Sequence, residues 1–260
     1  MQAIGMNALL PKFGGLTSPP NEGNLRLLRE WGEATQRAGM HCFPVLNFRG
    51  GETEKILSAR REVTATGQRM ERTPCPLDEQ FWRTYVLGRA VELASRAKEL
   101  HLDGAILDPE MYGADHTTYG GVCYCDDCLR EFLQFQSLFQ PAPQPLPEPQ
   151  ARADWLKGQG LTDRFAQRFV DRVRSFCADI EREVHQRNPD FLLGVFLLDY
   201  PLPFMRGMAQ GLGTESHPVL GFSETTYGSG HTKYVEEQQK TFAEMPAHVL
   251  FLPGLWIAQF

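Results

Sequence analysis

The sequence predicts an α/β fold of the (β/α)8, TIM-barrel-like class, incomplete at its C-terminal end. Three observations carry that expectation. Short, nearly uninterrupted apolar runs alternate with longer segments of helical periodicity, as in a parallel sheet covered on both faces. No Gly-rich phosphate loop follows any run, which removes the main signature of a nucleotide-binding, doubly wound sheet. Several runs end in polar or acidic residues, among them Asn47, Asp108, Glu110, Asp199 and Glu224. Barrel enzymes place their catalytic groups at these carboxyl ends.

Residues 3–10 form a first apolar run, stopped by Pro11. Residues 24–38 carry Leu25, Leu28, Trp31 and Ala34 at helical spacing, and Gly39 ends the helix. A second strand is expected at 41–48, weakened by Pro44. Residues 50–76 are polar and Arg-rich and read as a long loop with a short helix. A strong helix is predicted over 78–100 and a short buried strand over 102–110, followed by a helix at 128–139. The Pro-rich stretch 140–149 excludes helix or inner strand. Its flanks do not differ in composition, so it reads as an insertion loop in one domain spanning residues 1–260. Residues 162–187 form a long amphipathic helix with Phe165, Phe169, Val173, Phe176, Ile180 and Val184 on one face. Strands are expected at 191–200, 219–226 and 248–257, and a helix at 233–243. That makes six strands where a barrel needs eight. Either strands hide between 49 and 75 or the last βα units are missing, and a chain that stops directly after a strand favours the second.

Composition narrows the function classes. The chain has 260 residues, 42% hydrophobic and 22% charged, with a net charge of −6. Such values fit a globular protein with a core large enough to need no disulfide staples. The mild acidity, without a long Lys/Arg cluster, argues against general nucleic-acid binding. No apolar run reaches about 18 residues, so no membrane span is expected. The start lacks the signal-peptide pattern. A cytoplasmic protein is therefore expected, or a secreted one if the chain is a mature form or a fragment. Self-association into a homo-oligomer is left open.

Asp108 and Glu110 follow the apolar run at 104–107. Residues two apart on a strand share a face, so both would point into the mouth of a barrel. Paired carboxylates raise one another's proton affinity, and one then holds the proton a general acid needs. The bland alternative is that Asp108 caps the turn and Glu110 pairs with an arginine. Glu224 supplies a second acid at another strand end. Two such carboxylates are what glycosidases use, one as acid/base and one as nucleophile or base. Tyr112, Tyr200, Tyr227 and Trp256 also fall near strand ends and would suit stacking on sugar rings, although each alone is better explained as a lip or core aromatic. Asn47 and Asp199 would bind hydroxyls.

Cys123, Cys125 and Cys128 place three thiols within six residues, and Cys75 lies upstream. Three close cysteines and a distant one fit a tetrahedral, all-thiolate structural zinc site. Reduced free thiols and disulfides are the competing readings. Cys42 and Cys177 sit in apolar segments and read as core thiols. The seven histidines are scattered, with no H-x-H or H-E-x-x-H, so a metal-dependent hydrolase fits poorly.

Glu110-Met-Tyr-Gly followed by Cys-Tyr-Cys-Asp-Asp-Cys-Leu-Arg-Glu-Phe132 resembles the zinc-cluster microbial β-galactosidases of the retaining (β/α)8 glycosidase clan. There an Asn-Glu-Tyr-Gly follows strand four and a Cys-Tyr-Cys-x-x-Cys segment comes soon after. The resemblance covers roughly residues 1–135. It implies Glu110 as acid/base and Cys75, Cys123, Cys125 and Cys128 as zinc ligands, with a nucleophilic Glu ending strand seven. Asp108-Pro109 departs from the family's Asn, and Glu224 falls earlier than strand seven. A second resemblance, Asp103-Gly104-x-x-Leu107-Asp108-x-Glu110, is to the chitinase-type D-G-x-D-x-D-x-E motif, with Ile106 where that motif has Asp. It implies that Asp108 orients a substrate acetamido nucleophile while Glu110 remains the acid. The expectation is a glycoside hydrolase acting on an oligosaccharide or glycoside without a catalytic cofactor. The non-enzymatic alternative is a carbohydrate-binding barrel that has lost its chemistry.

Overall fold

The computed structural model describes residues 7–15, 21–48, 60–109, 122–136, 146–197, 203–223 and 232–253. Its centre is a six-stranded sheet in which every neighbouring pair is parallel. In sheet order the strands are β2 (Lys12–Gly15), β4 (Val45–Asn47), β7 (Gly104–Asp108), β8 (Leu192–Leu197), β9 (Val219–Ser223) and β10 (Val249–Pro253). Chain order and spatial order coincide, without the reversal that defines a doubly wound sheet. The short β1 (Ala8–Leu9) and β3 (His41–Cys42) pair in parallel ahead of β2 and β4. Pro11 and Pro44 mark the breaks, because proline has no N–H to give the ladder.

The two faces of the sheet differ in kind. Leu46, Ala105, Leu107, Leu193, Val195, Leu197 and Val219 pack into the main core with the helices. Phe43, Ile106, Leu220 and Phe222 form a separate cluster, joined by Ala8, Leu10, Phe196 and Leu252, and no helix residue enters it. Helices on one face and strand side chains alone on the other are the arrangement of a (β/α) barrel wall. The protein therefore has a TIM-barrel-like fold whose sheet, among the described residues, is not closed.

The helices follow their apolar stripes. α1 (Glu22–Arg37) is capped by Asn21, whose side chain accepts from the Asn24 N–H at 2.8 Å. It buries Leu25 and Leu28 but leaves Trp31, expected inside, 41% exposed. The predicted helix over 78–100 opens with a π-helical stretch (Phe81–Leu87) and continues as α2 (Gly88–Leu100). α3 spans Asp126–Gln136, and α5 spans Thr162–Arg187, the range its periodicity predicts. α7 is Thr232–Ala243.

Three elements depart from the sequence reading. The polar stretch expected as loop contains an antiparallel hairpin, β5 (Arg61–Val63) with β6 (Arg69–Pro74). These strands lie apart from the main sheet, so they do not supply the missing barrel strands. Gly67 makes the hairpin's turn at φ +82°, where a side chain would meet the backbone of Gln150. A short α4 (Arg152–Gly158) follows the Pro-rich stretch. α6 (Pro203–Leu212) packs on α5 so closely that a Cβ at Gly207 or Gly211 would lie 2.7 or 2.4 Å from an α5 carbonyl oxygen. Among the described residues no helix is long and apolar enough to cross a membrane.

Candidate active site and cysteine centre

Register brings Asn47 and Asp108 together at the carboxyl edge of the sheet. Asn47 Nδ2 donates to Asp108 Oδ2 at 2.5 Å, and both residues are buried. The Phe48 N–H donates to the Asp108 carbonyl at 2.9 Å, which ties the two strand ends. Asp108 lies two residues beyond Ile106 and so shares its helix-free face. One step past the Leu107–Val195 pair, the same row crosses to Phe196, Phe222 and Leu252. The row is therefore polar on one side and apolar on the other.

Glu110, Tyr112, Asp199, Tyr200, Glu224, Tyr227 and Trp256 lie outside the described residues. Their anchors are in place. Asp108 ends the third and Ser223 the fifth of the six main strands described, where the first resemblance implies acids after the fourth and seventh. Ser223 itself turns to the helix side, where its hydroxyl donates to the Gln238 side-chain carbonyl of α7. Asp103, first residue of the chitinase-like motif, works at the opposite end of β7. It accepts from the Cys42 N–H at 2.8 Å and lies 3.1 Å from His41 Nδ1.

The four predicted cysteines converge. The sulfurs of Cys75, Cys123, Cys125 and Cys128 all lie within 4.8 Å of one another, and all four residues are buried. Cys75 Sγ is 3.2 Å from Cys128 Sγ and 3.9 Å from Cys125 Sγ, and none is in a disulfide. Tetrahedral Zn–S bonds of about 2.3 Å put sulfurs about 3.8 Å apart, so the donor set fits one such ion. Backbone N–H groups of Val63, Leu77 and Cys125 donate to Cys123, Cys75 and Cys123 sulfurs at 3.3–3.4 Å. Burial pushes the Cys75 and Cys128 thiols up, whereas hydrogen bonding with the Cys123, Cys128 and Cys75 sulfurs holds Cys125 well below the ordinary thiol value.

The chain assembles this centre from three pieces. Cys75 follows β6, Cys123 and Cys125 lie on the approach to α3, and Cys128 is in its first turn. The Tyr124 N–H donates to the Val63 carbonyl at 2.8 Å, pairing the approach with β5. Buried Arg152 clamps the outside, donating to the carbonyls of Tyr124 at 2.7 Å and Pro147 at 2.9 Å and to Asp126 Oδ1 at 2.6 Å. Cys42 and Cys177 are buried core thiols as expected, and burial pushes Cys42 up to about 11.

The histidines are not all scattered. His217 Nδ1 and His185 Nδ1 lie 2.9 and 3.2 Å from the same Glu181 Oε1, and the rings stack at 3.7 Å with planes 10° apart. Imidazole lone pairs lie in the ring plane, so two near-parallel stacked rings do not aim at one ion. His185 also places Nδ1 2.9 Å from the Glu181 carbonyl and Nε2 3.0 Å from that of Phe191. The cluster is a hydrogen-bonded brace between α5 and the segment before β9. A separation of 32 positions hid it from motif reading.

Comparison with solved structures finds the same fold in other proteins. The chain is similar to a β-galactosidase from the psychrophilic Marinomonas ef1, with a TM-score of 0.59 at 14% identity, over 86% of this chain and 37% of that one. It is similar to the catalytic domain of β-amylase from Paenibacillus polymyxa, with a TM-score of 0.55 at 10% identity, over 97% and 86%. It is also similar to a cold-adapted β-galactosidase from Rahnella sp. R3, with a TM-score of 0.51 at 14% identity, over 78% and 32%. The chain thus spans just over a third of the Marinomonas enzyme. No family model and no curated protein matches the sequence.

Proposed function

We propose that the chain is a glycoside hydrolase whose chemistry sits at the carboxyl edge of the sheet. Glu110 protonates the leaving oxygen, and Glu224 attacks the anomeric carbon or activates water. Asp108 and Asn47 position the sugar, together with Asp199, Tyr112, Tyr200, Tyr227 and Trp256. The observation that carries the reading is the buried Asn47–Asp108 pair on the helix-free face, where a polar pair adjoins an apolar row and Glu110 follows two residues on. A saccharide has the matching character, with hydroxyls at its rim and C–H groups on its faces. β7 and β9 are separated only by β8. The backbones of these two strands therefore stand about 10 Å apart, and the carboxylate separations that glycosidases use are about 5–9.5 Å. The glycosidase barrels with like folds support the same class.

The cysteine centre belongs to the proposal as a structural zinc site. Cys75, Cys123, Cys125 and Cys128 would hold the ion and pin the hairpin to α3. When bound, the metal supplies a cross-link and takes no part in the sugar chemistry.

The test is hydrolysis of an aryl-glycoside panel by the wild type and by E110Q and E224Q. Each variant is expected to lose nearly all turnover. Azide should restore the variant lacking the nucleophile if the enzyme is retaining. A wild-type rate in E110Q would overturn the assignment. Calorimetric sugar binding by a wild type that hydrolyses no member of the panel would replace it with the binding-module reading.

A further inference from the structure

We infer that Arg60 is a positioning residue of the cysteine centre, its guanidinium set against Cys128 Sγ to offset the negative charge of the metal–thiolate unit. The inference rests on the zinc reading above. Four thiolates around a divalent cation leave two net negative charges in a place where all four ligands are buried. Burying uncompensated charge is costly. The three backbone N–H donors supply dipoles but no net charge. Arg60 supplies a whole positive charge.

Its placement is specific. The Arg60 carbonyl accepts from the Cys75 N–H at 3.1 Å, which sets the residue beside the first ligand. The side chain then crosses to α3, with Nη2 donating to Cys128 Sγ at 3.4 Å. Nη1 donates to Glu131 Oε1 at 2.7 Å and to the Leu77 carbonyl at 3.3 Å, and Nε lies 3.5 Å from Asp127 Oδ2. These oxygens hold the planar fork in one orientation, with one corner on sulfur. Asp127 and Glu131 are 52% and 36% exposed against 19% for Arg60. Water therefore screens the carboxylates more than the guanidinium, and the positive charge is felt on the sulfur side. Residues outside the first coordination sphere of a metal commonly alter its retention by about 10–100-fold when replaced.

The experiment compares zinc-loaded wild type, R60M, R60Q and R60K by the rate of zinc transfer to a chromophoric chelator, with far-UV circular dichroism as the check on fold. R60M and R60Q are expected to release zinc about 10–100-fold faster than wild type, and R60K is expected to recover most of the retention. R60Q decides the question should R60M not accumulate as folded protein. Zinc-loaded R60M or R60Q with the wild-type rate, or R60K as leaky as R60M, overturns the role of the charge while leaving the zinc site standing. A wild type that contains no zinc after expression in zinc-supplemented medium overturns the zinc reading and this inference with it.

Discussion

Asn47 and Asp108 stand side by side at the ends of adjacent parallel strands, amide to carboxylate, 2.5 Å apart and buried. The contact joins two segments 61 residues apart in sequence at the edge where barrel chemistry is done. N47A removes a donor from a buried carboxylate and should cost about 1–3 kcal/mol in urea denaturation. N47D sets two carboxylates against each other and should cost more at pH 8 than at pH 4, since protonating either one relieves the repulsion. Hydrolysis by N47A should fall more than its stability does.

Chelation offers a second measurement. A strong chelator, or C75S or C128S, should reduce bound zinc from about one ion per chain to near zero and lower the melting temperature. A ligand present at a thousandfold over its Kd stabilises by about 4 kcal/mol, which sets the scale of the loss.

Glu62, on β5, is buried, and burial pushes its carboxyl up to about 7. The folded chain therefore holds a proton there that the unfolded chain releases near pH 4.3. Stability from this group is fully present below the unfolded value and is lost as pH rises toward 7. E62Q does not titrate. Its stability relative to wild type should rise between pH 4 and pH 8 by up to about 3 kcal/mol, read from urea midpoints at each pH.

Glu181 serves two imidazoles and the Thr214 hydroxyl through one carboxylate oxygen. E181A should destabilise by about 1–3 kcal/mol, because His185 is left partly unmatched in a buried place. Adding Zn2+ or Ni2+ to a protein whose four cysteines are already loaded should give no second tight site, as titration calorimetry would show.

The parts of the fold that were legible in the sequence owe their shape to local pattern. α5 was readable because Phe165, Phe169, Val173, Phe176, Ile180 and Val184 recur at helical spacing and are all buried. The four cysteines were readable because thiol spacing carries its own signature. β5 and β6 were not, since their strands are polar and take their place from the Val63 N–H on Cys123 Sγ and from Cys75, which directly follows β6. α6 was hidden by Gly207 and Gly211, which weaken helix propensity but allow the approach to α5. Trp31 fell on the wrong side of α1 because the core takes Leu25, Leu28, Gly32 and Thr35 instead. Of the candidate site, the strand ends were legible, while the Asn47–Asp108 bond depends on register between distant strands.

The π-helical stretch Phe81–Leu87 carries a consequence for mutability. Such a turn holds one residue more than an α-helix needs to cover the same rise. Arg83 and Thr84 are its exposed members, while Phe81, Trp82 and Val86 are buried. Deleting Thr84 would let the segment relax to ordinary winding while Ala90, Leu93 and Ala97 keep their phase against the core. This is a place where the protein can absorb a shortening of its chain that would throw any neighbouring helix out of step.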